Sequence, residues 1–369
     1  MKSRYLKSTL WGLAALLALW AMYGWWLRPQ VKAFLWTGEE NMVSRLVAVF
    51  YPRFAIERHR FDASYFLFLA DQMVLRATVM LLSLGAWLLW QSSRRVRAVA
   101  VLPVATHEYF LRYFALVLLI YTYDWCYSFY KLSFFTDFFE PLWLIRPLPG
   151  FSLPWLWTLW TVMVLAALRC LWLGRGALLP ALLFVVLQAY LYSFGKMDHT
   201  FAPFTYVCLL MPWWERQGRI WRKEGRSFGS AEVLQWVRVA IALCYVQAGM
   251  EKLLLGGSAW WNAGHLRTFL LVHGQAAGRA LAASPDSLLE AASLLVLLWQ
   301  LAFVGILHRK GRYFFAITGF LFHLANYLFL GVGWWLHTYV WCYPFFFDSL
   351  SVVERLARFL KAKTYRQKQ

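Results

Sequence analysis

The sequence predicts an all-α polytopic membrane protein, a bundle of about 8–10 transmembrane helices. Three observations carry that prediction. Of the 369 residues, 61% are hydrophobic and only 15% are charged, whereas a soluble domain carries about 25% charge. Apolar runs near 20 residues recur along the chain, which is the length a helix needs to cross a bilayer. The 23 tryptophans suit aromatic belts at the two membrane interfaces. Helices satisfy their backbone polar groups internally, as lipid demands. The alternating segments of a membrane barrel do not appear.

The first span runs over about 8–27. It follows a basic N-terminus but ends in Trp25, Trp26 and Leu27 with no small-residue cleavage site, so it reads as a retained span. Residues 28–63 read as an extramembrane excursion, with a basic stretch around Arg58 and Arg60. Further spans fall at about 65–90, 108–130, 153–173, 177–194, 200–214, 231–250, 286–307, 313–332 and 334–349. The spans at 200–214 and 334–349 are short for a full crossing, and half-helices buried in the bundle are the alternative. Residues 252–285 read as a loop carrying Lys252, His265 and His273. Residues 1–100 form an N-terminal extension with two spans, 105–350 the transmembrane core, and 351–369 a basic tail.

The net charge of +19 sits mainly in short loops between apolar runs. With the N-terminus inside, the basic loops at 91–97, 174–176, 215–226 and 308–312 share one face with the tail. That is the cytoplasmic face by the positive-inside rule, so both termini are expected there, in a bacterial inner membrane. No nucleic-acid-binding module accompanies the charge, so nucleic acid is not an expected partner. The five cysteines lack metal or redox spacing and read as small buried side chains. No metal-ligand set is expected, and no phosphate loop or nucleophile elbow occurs.

The same topology gathers titratable residues toward the outer face. Lys252 closes an apolar run there, before Gly256-Gly257 and Trp260-Trp261. It is either a snorkelling anchor or a general base whose neutral form desolvation favours. Asp198 and His199 open a short span: either a helix cap followed by an interfacial histidine, or a hydrogen-bonded pair orienting a substrate. His323 lies mid-span, where an ionisable group is functional by default and a cross-helix hydrogen bond is the alternative. Asn326, three residues on, shares its face. His337 lies at the outer end of the last span. Arg76 sits mid-span and needs a partner, for which Asp71 and Asp124 are candidates. Arg112 lies near the cytoplasmic end of its span. His59, His107 and His308 read as solvated.

The stretch Ala248-Gly249-Met250-Glu251-Lys252-Leu253 with Trp261-Asn262-Ala263-Gly264 resembles the signature of the HTTM family, which includes the vitamin K-dependent γ-glutamyl carboxylase. Three matches occur in the same order. Glu108 to Arg112 is similar to the family's first core helix, Ile145 to Pro149 to a Leu-Arg-Pro-Leu-Pro turn, and Asp198-His199 with Phe322-His323-Leu324 to its two histidine motifs. The resemblance covers about 105–350.

It implies an HTTM-like core in which Lys252 is the base that deprotonates a quinol, with His199 and His323 lining the pocket. Asp198, Arg112, Asn326, His337 and Trp261 are the expected substrate-binding residues. The implied cofactors are reduced vitamin K or a menaquinol-like quinol with O2, and CO2 if carboxylation is coupled. Membrane lipid and a peptide client are the implied partners. Two departures matter. Glu251 stands where the family has a second lysine, and Asp198 where it has a neutral asparagine. A large extramembrane domain for gripping a peptide is not expected after the core. The expected activity is therefore quinol oxidation, with or without carboxylation. A non-catalytic factor for maturation or export of a secreted peptide is the alternative. Transport is a weaker third reading, since no inverted repeat is evident.

Overall fold

The computed structural model describes residues 12, 14–50, 58–60, 62–93, 104–195, 201–224, 230–308, 310–331 and 338–347. Among these the chain is helical, with no strand. Asp198, His199 and His337 lie outside the described residues, as do the basic tail and most of the loop at 91–97.

Among the described residues, four helical stretches are long and apolar enough to cross a membrane: Leu153–Leu173, Val233–Leu254, Asp286–Leu307 and Arg312–Leu330. The helix Leu178–Tyr192 is apolar but shorter. In chain order the elements are α1 (Arg28–Thr37), α2 (Met42–Phe50), α3 (Ala63–Ser93), α4 (Val104–Thr122) and α5 (Trp125–Leu132). Next come α6 (Leu153–Leu173), α7 (Leu178–Tyr192), α8 (Ala202–Glu224) and α9 (Ser230–Glu251). The last are α10 (Ala263–His273), α11 (Ala276–Leu281), α12 (Asp286–Ala302), α13 (Arg312–Leu330) and α14 (Thr338–Cys342).

Several boundaries differ from those the sequence predicts. The first helix does not stop at Leu27. A π turn at Tyr23–Leu27 passes directly into α1, with Pro29 in its first turn. Gly38, at φ 74°, ends α1 in the left-handed conformation that glycine adopts without strain. Helix α8 continues past Trp214, through Pro212, to Glu224. Arginine and lysine mark the expected edge of the bilayer, yet they are good helix formers and do not end a helix. Residues 252–285 are folded: a π turn at Lys252–Gly256, a 3-10 turn at Gly257–Trp261, then α10 and α11. The Asn262 side chain accepts from the Gly264 N–H at 2.7 Å and caps α10. Residues 338–346 form only α14 and a 3-10 turn, with Cys342, Tyr343, Phe345 and Phe346 buried.

One large apolar core runs from Phe110 to Phe346 and gathers α4 to α9 with the segment after α12. Aromatic contacts knit it together: Trp125 stacks on Phe184 at 5.0 Å, and Phe110 on Phe345 at 5.6 Å. A second small core lies under α10 and α11, and a third joins α1 to α2. Helix α3 packs on both α1 and α9, which docks the N-terminal helices onto the main bundle.

The contacts define two ends. Gly174 abuts Glu108 and Arg112. The Trp214 Nε1–H donates to the His107 carbonyl at 3.3 Å. The Arg238 Nε–H donates to the Phe345 carbonyl at 2.8 Å, and Tyr313 packs on Phe347 at 5.1 Å. The starts of α4, α9 and α13 therefore meet the ends of α6 and α8. The loops at 174–176 and 308–312 lie at this basic end. At the opposite end the Glu140 N–H donates to the Ser193 carbonyl, and the Gln275 N–H to that of Phe329. The turn at 145–149 also sits there, with the Arg146 guanidinium donating to the Ala48 carbonyl of α2.

At the basic end, the buried Glu215 carboxylate accepts from the Ala177 N–H at 2.7 Å, capping α7 from a neighbouring helix. An N-cap acceptor is worth about 1 kcal/mol and a buried charged hydrogen bond more. Glu215→Ala is expected to cost about 2 kcal/mol and lower the melting temperature by several degrees. An unchanged melting curve in detergent would show that the cap is not made.

Candidate functional site

Lys252 stands at the junction where α9 passes into a π turn. A π turn inserts one extra residue per turn and shifts the register of the residues after it. The lysine is half-buried. Its Nζ donates back to the Ala248 carbonyl at 3.3 Å and lies 5.0 Å from the ring centre of Trp260. The close approach of α9 and α12 makes this corner. A Cβ on Gly249 would stand 3.1 Å from both the Gln300 Cβ and Leu301.

Glu251, the residue before it, turns the other way. It is exposed, and its Oε1 lies 4.0 Å from Arg76 Nη1 on α3. Successive helix positions diverge by about 100°, so neighbours in sequence face different sides. This also corrects the expected partners of Arg76. Asp71 is taken by Arg28, at 2.7 and 3.0 Å, and by the Tyr23 hydroxyl at 2.7 Å. Five residues apart on one helix, Asp71 and Arg76 point about 140° from each other.

Below Lys252 lies a buried phenol–imidazole network. Tyr245 precedes Lys252 by nearly two turns, so both lie on nearly one face, about 10 Å apart along the axis. The Tyr245 hydroxyl hydrogen-bonds His323 Nε2 at 2.8 Å and also contacts the Tyr343 hydroxyl. Tyr339 stacks on the His323 ring at 5.6 Å, and Phe303 on Tyr245 at 3.9 Å. Gly319, one turn before His323, leaves room for the Tyr343 hydroxyl. His323 is thus buried and hydrogen-bonded across helices. Its partner is Tyr245, while the Asn326 side chain, though on the same helix, does not join this bond.

The other expected site residues are dispersed. Arg112 is exposed beside Gly174 at the basic end and is not brought to Lys252. Phe345 touches both Phe110 and Arg238, so the start of α4 is level with the first turns of α9. Lys252 lies about 20 Å further along that helix. Trp261 faces a neighbouring hollow; the indole over Lys252 belongs to Trp260. That hollow, about 540 Å³, is lined by Ser258, Trp261, Asn262, His265 and Glu290 among others. His265 packs on Trp260 at 4.7 Å, so one indole separates the hollow from the lysine. His107 is buried and stacked on Trp214 at 4.6 Å, which corrects its solvated reading. His59 is exposed as expected, and His308 is exposed too. Among the described residues no cluster of His, Cys, Asp and Glu could hold a metal ion.

The segment 263–286 is braced by Arg267, which donates to the Ala282 and Ser284 carbonyls at 2.9 and 2.8 Å and pairs with Asp286 at 2.7 Å. Arg267→Ala would free both carbonyls and the carboxylate. The expected cost is about 2–3 kcal/mol, confined to residues near 263–286. Hydrogen exchange should show faster exchange there and little change in α6; uniform protection throughout would contradict this.

Comparison with known proteins yields no match: no family model fits the sequence. No curated protein and no solved structure is significantly similar to it.

Proposed function

We propose that the chain is a polytopic integral membrane protein of the HTTM type in which Lys252 acts as general base toward a quinol-type lipid. The membrane reading is supported by apolar stripes that the fold leaves uncovered. Leu165, Leu168 and Trp172 on α6, and Phe314, Ile317 and Leu321 on α13, are all exposed. Each set follows i, i+3, i+7 spacing, one continuous helix face. Soluble monomers rarely expose apolar area on this scale. By the positive-inside rule the basic end is cytoplasmic and the lysine end faces outward.

One observation carries the base role. Lys252 is half-buried in an apolar corner, its Nζ faces a carbonyl and an indole, and the adjacent carboxylate is drawn to Arg76. An amine held in that corner is placed to take a proton from a hydroxyl brought to it. A quinol fits the residues present. The corner joins an amine to an aromatic wall, and the Trp260 Nε1–H is buried with no acceptor among the described residues. Reduced vitamin K or a menaquinol-like quinol would supply, with O2, oxidative chemistry that no side chain in the corner provides. Lys252 would accept the first proton, Trp260 would wall the ring, and Tyr245 would hold His323 below. Asp198, His199 and His337 belong to the same proposal, as do Asn326 and Trp261 at its margins; Arg112 is left out because it lies at the other end. CO2 capture and a peptide client rest on the resemblance alone.

The same geometry supports a second reading. A lysine folded onto its own helix carbonyl and a tryptophan face is also what an interfacial anchor looks like. The chain would then be a non-catalytic factor for a secreted peptide. Purified protein supplied with vitamin K hydroquinone or menaquinol and O2 separates the two. Epoxide formation abolished by Lys252→Ala supports the base. No turnover with either quinol, or turnover indifferent to the substitution, supports the anchor.

A further inference from the structure

The hollow beside Trp260 has a chemistry of its own, apart from Lys252. Gly257 turns the chain at φ 52°, in the left-handed region open to glycine. Residues 258–265 then arc over the first turns of α12, against which the 3-10 turn and α10 both pack. The space between them, about 540 Å³, is the size of a small-ligand site. Its walls carry one formal charge, the Glu290 carboxylate, and no lysine or arginine among the described residues. The whole chain carries a net charge of +19, yet this carboxylate has no ion-pair partner among the described residues. Arg267, on the same helix as His265, is taken by Ala282, Ser284 and Asp286. The Lys252 Nζ lies behind the Trp260 indole.

Donors complete the lining. The Asn262 Oδ1 already accepts from the Gly264 N–H at 2.7 Å, which leaves its amide N–H groups to offer. Ser258 adds a hydroxyl, His265 a ring N–H and Trp261 an indole face. A carboxylate and an indole suit a cation, and the donors suit a phosphate, so together they match a zwitterion. The hollow also adjoins an apolar face. Leu294 and Leu298 follow Glu290 at one and two turns along α12, and both are exposed. Glu290 lies about 6 Å inside the start of α12 at Asp286, the level of lipid headgroups for a helix that crosses from this end. We propose that this hollow holds the headgroup of an outer-leaflet phospholipid with a primary ammonium, a phosphatidylethanolamine, whose acyl chain lies along Leu294 and Leu298. The ammonium donates to Glu290, and the phosphate accepts from Asn262, Ser258 and His265. A trimethylated ammonium has no N–H to donate, and a single indole is not the aromatic cage that quaternary ammonium recognition uses. A purely anionic headgroup would face an unpaired carboxylate. The inference rests on the membrane reading and the outward placement of this end, and not on the chemistry of Lys252.

The test is photo-crosslinking of the full chain in detergent micelles. The probe is a phosphatidylethanolamine with a diazirine at the top of one acyl chain, and labelled peptides are mapped by mass spectrometry. Labelling is expected within residues 258–298. Unlabelled phosphatidylethanolamine should displace it at a concentration at least about tenfold lower than phosphatidylglycerol or phosphatidylcholine with the same chains. Glu290→Gln keeps the shape and removes the charge. It should cut labelling of this segment at least about fivefold and bring the three competitors within about twofold of each other. The melting temperature should not move, because Glu290 is exposed. Asp137→Asn, at an exposed acid near the same end, should change neither labelling nor preference. Undiminished labelling in Glu290→Gln, the same loss in Asp137→Asn, or equal competition by phosphatidylglycerol in wild type would each overturn the inference. Glycerophosphoethanolamine competing as well as the intact lipid would assign the hollow to a soluble amine and overturn the lipid. Labelling confined to the apolar faces of α6 and α13 sinks this inference and spares the membrane reading. Labelling nowhere on the chain sinks both.

Discussion

Lys252→Ala is expected to lower the rate of quinol oxidation at least about 100-fold, the usual contribution of a positioned general base. Among the described residues, Glu251 and His323 offer no substitute. Glu251 is turned toward Arg76, and His323 is buried with its Nε2 bonded to Tyr245, about two turns below. Lys252→Arg should be as inactive as alanine, because a guanidinium keeps its proton. An anchor would behave differently. Arginine snorkels as well as lysine, so Lys252→Arg would preserve whatever the anchor does. The arginine variant is therefore the sharper of the two. Wild-type turnover in Lys252→Arg would remove lysine from the chemistry even if alanine were inactive.

Gly319→Ala should be a strongly disruptive single methyl in the bundle's centre. The new Cβ would stand 2.2 Å from the Tyr343 hydroxyl oxygen and 2.8 Å from its ring carbon Cζ. Tyr343 cannot swing away easily, since it is buried and followed by buried Phe345 and Phe346. Moving it breaks its contact with the Tyr245 hydroxyl, which in turn orients His323. Overpacking costs about 1–3 kcal/mol and a lost hydrogen bond about 1 more, so a loss near 3 kcal/mol is expected. Tyr343→Phe removes the atom that clashes first. The double variant Gly319→Ala with Tyr343→Phe should recover about half of the lost stability, a coupling that a thermal denaturation cycle measures directly. Strictly additive effects would show that the glycine does not make room for this hydroxyl.

Much of the helical layout was legible in the sequence. Its apolar runs coincide with α6, α7, α12 and α13 to within a few residues. Charge alone groups the basic loops at one end, and among the described residues the contacts through Gly174, Trp214 and Phe345 bring the starts of α4 and α9 to that end with the loop at 174–176. The features that stayed hidden have common causes. The folded segment at 257–285 carries short helices whose amphipathicity is weak, so it looked like a loop. The extension of α8 past Trp214 was masked because polarity reports the bilayer edge and not the helix end. The site was half legible. Lys252 stood out as a charge ending an apolar run, and His323 as a titratable group within one. Tyr245 could have been found from its i−7 spacing to the lysine.

Lys252 is proposed to sit at a site that oxidises a quinol. The measurement closest to it is product analysis: wild-type protein in nanodiscs, vitamin K hydroquinone, O2, and quantification of the 2,3-epoxide against a protein-free control. The expected result is epoxide well above the control for wild type and at the control level for both Lys252→Ala and Lys252→Arg. Quinone alone, formed at the same rate with and without protein, would contradict it.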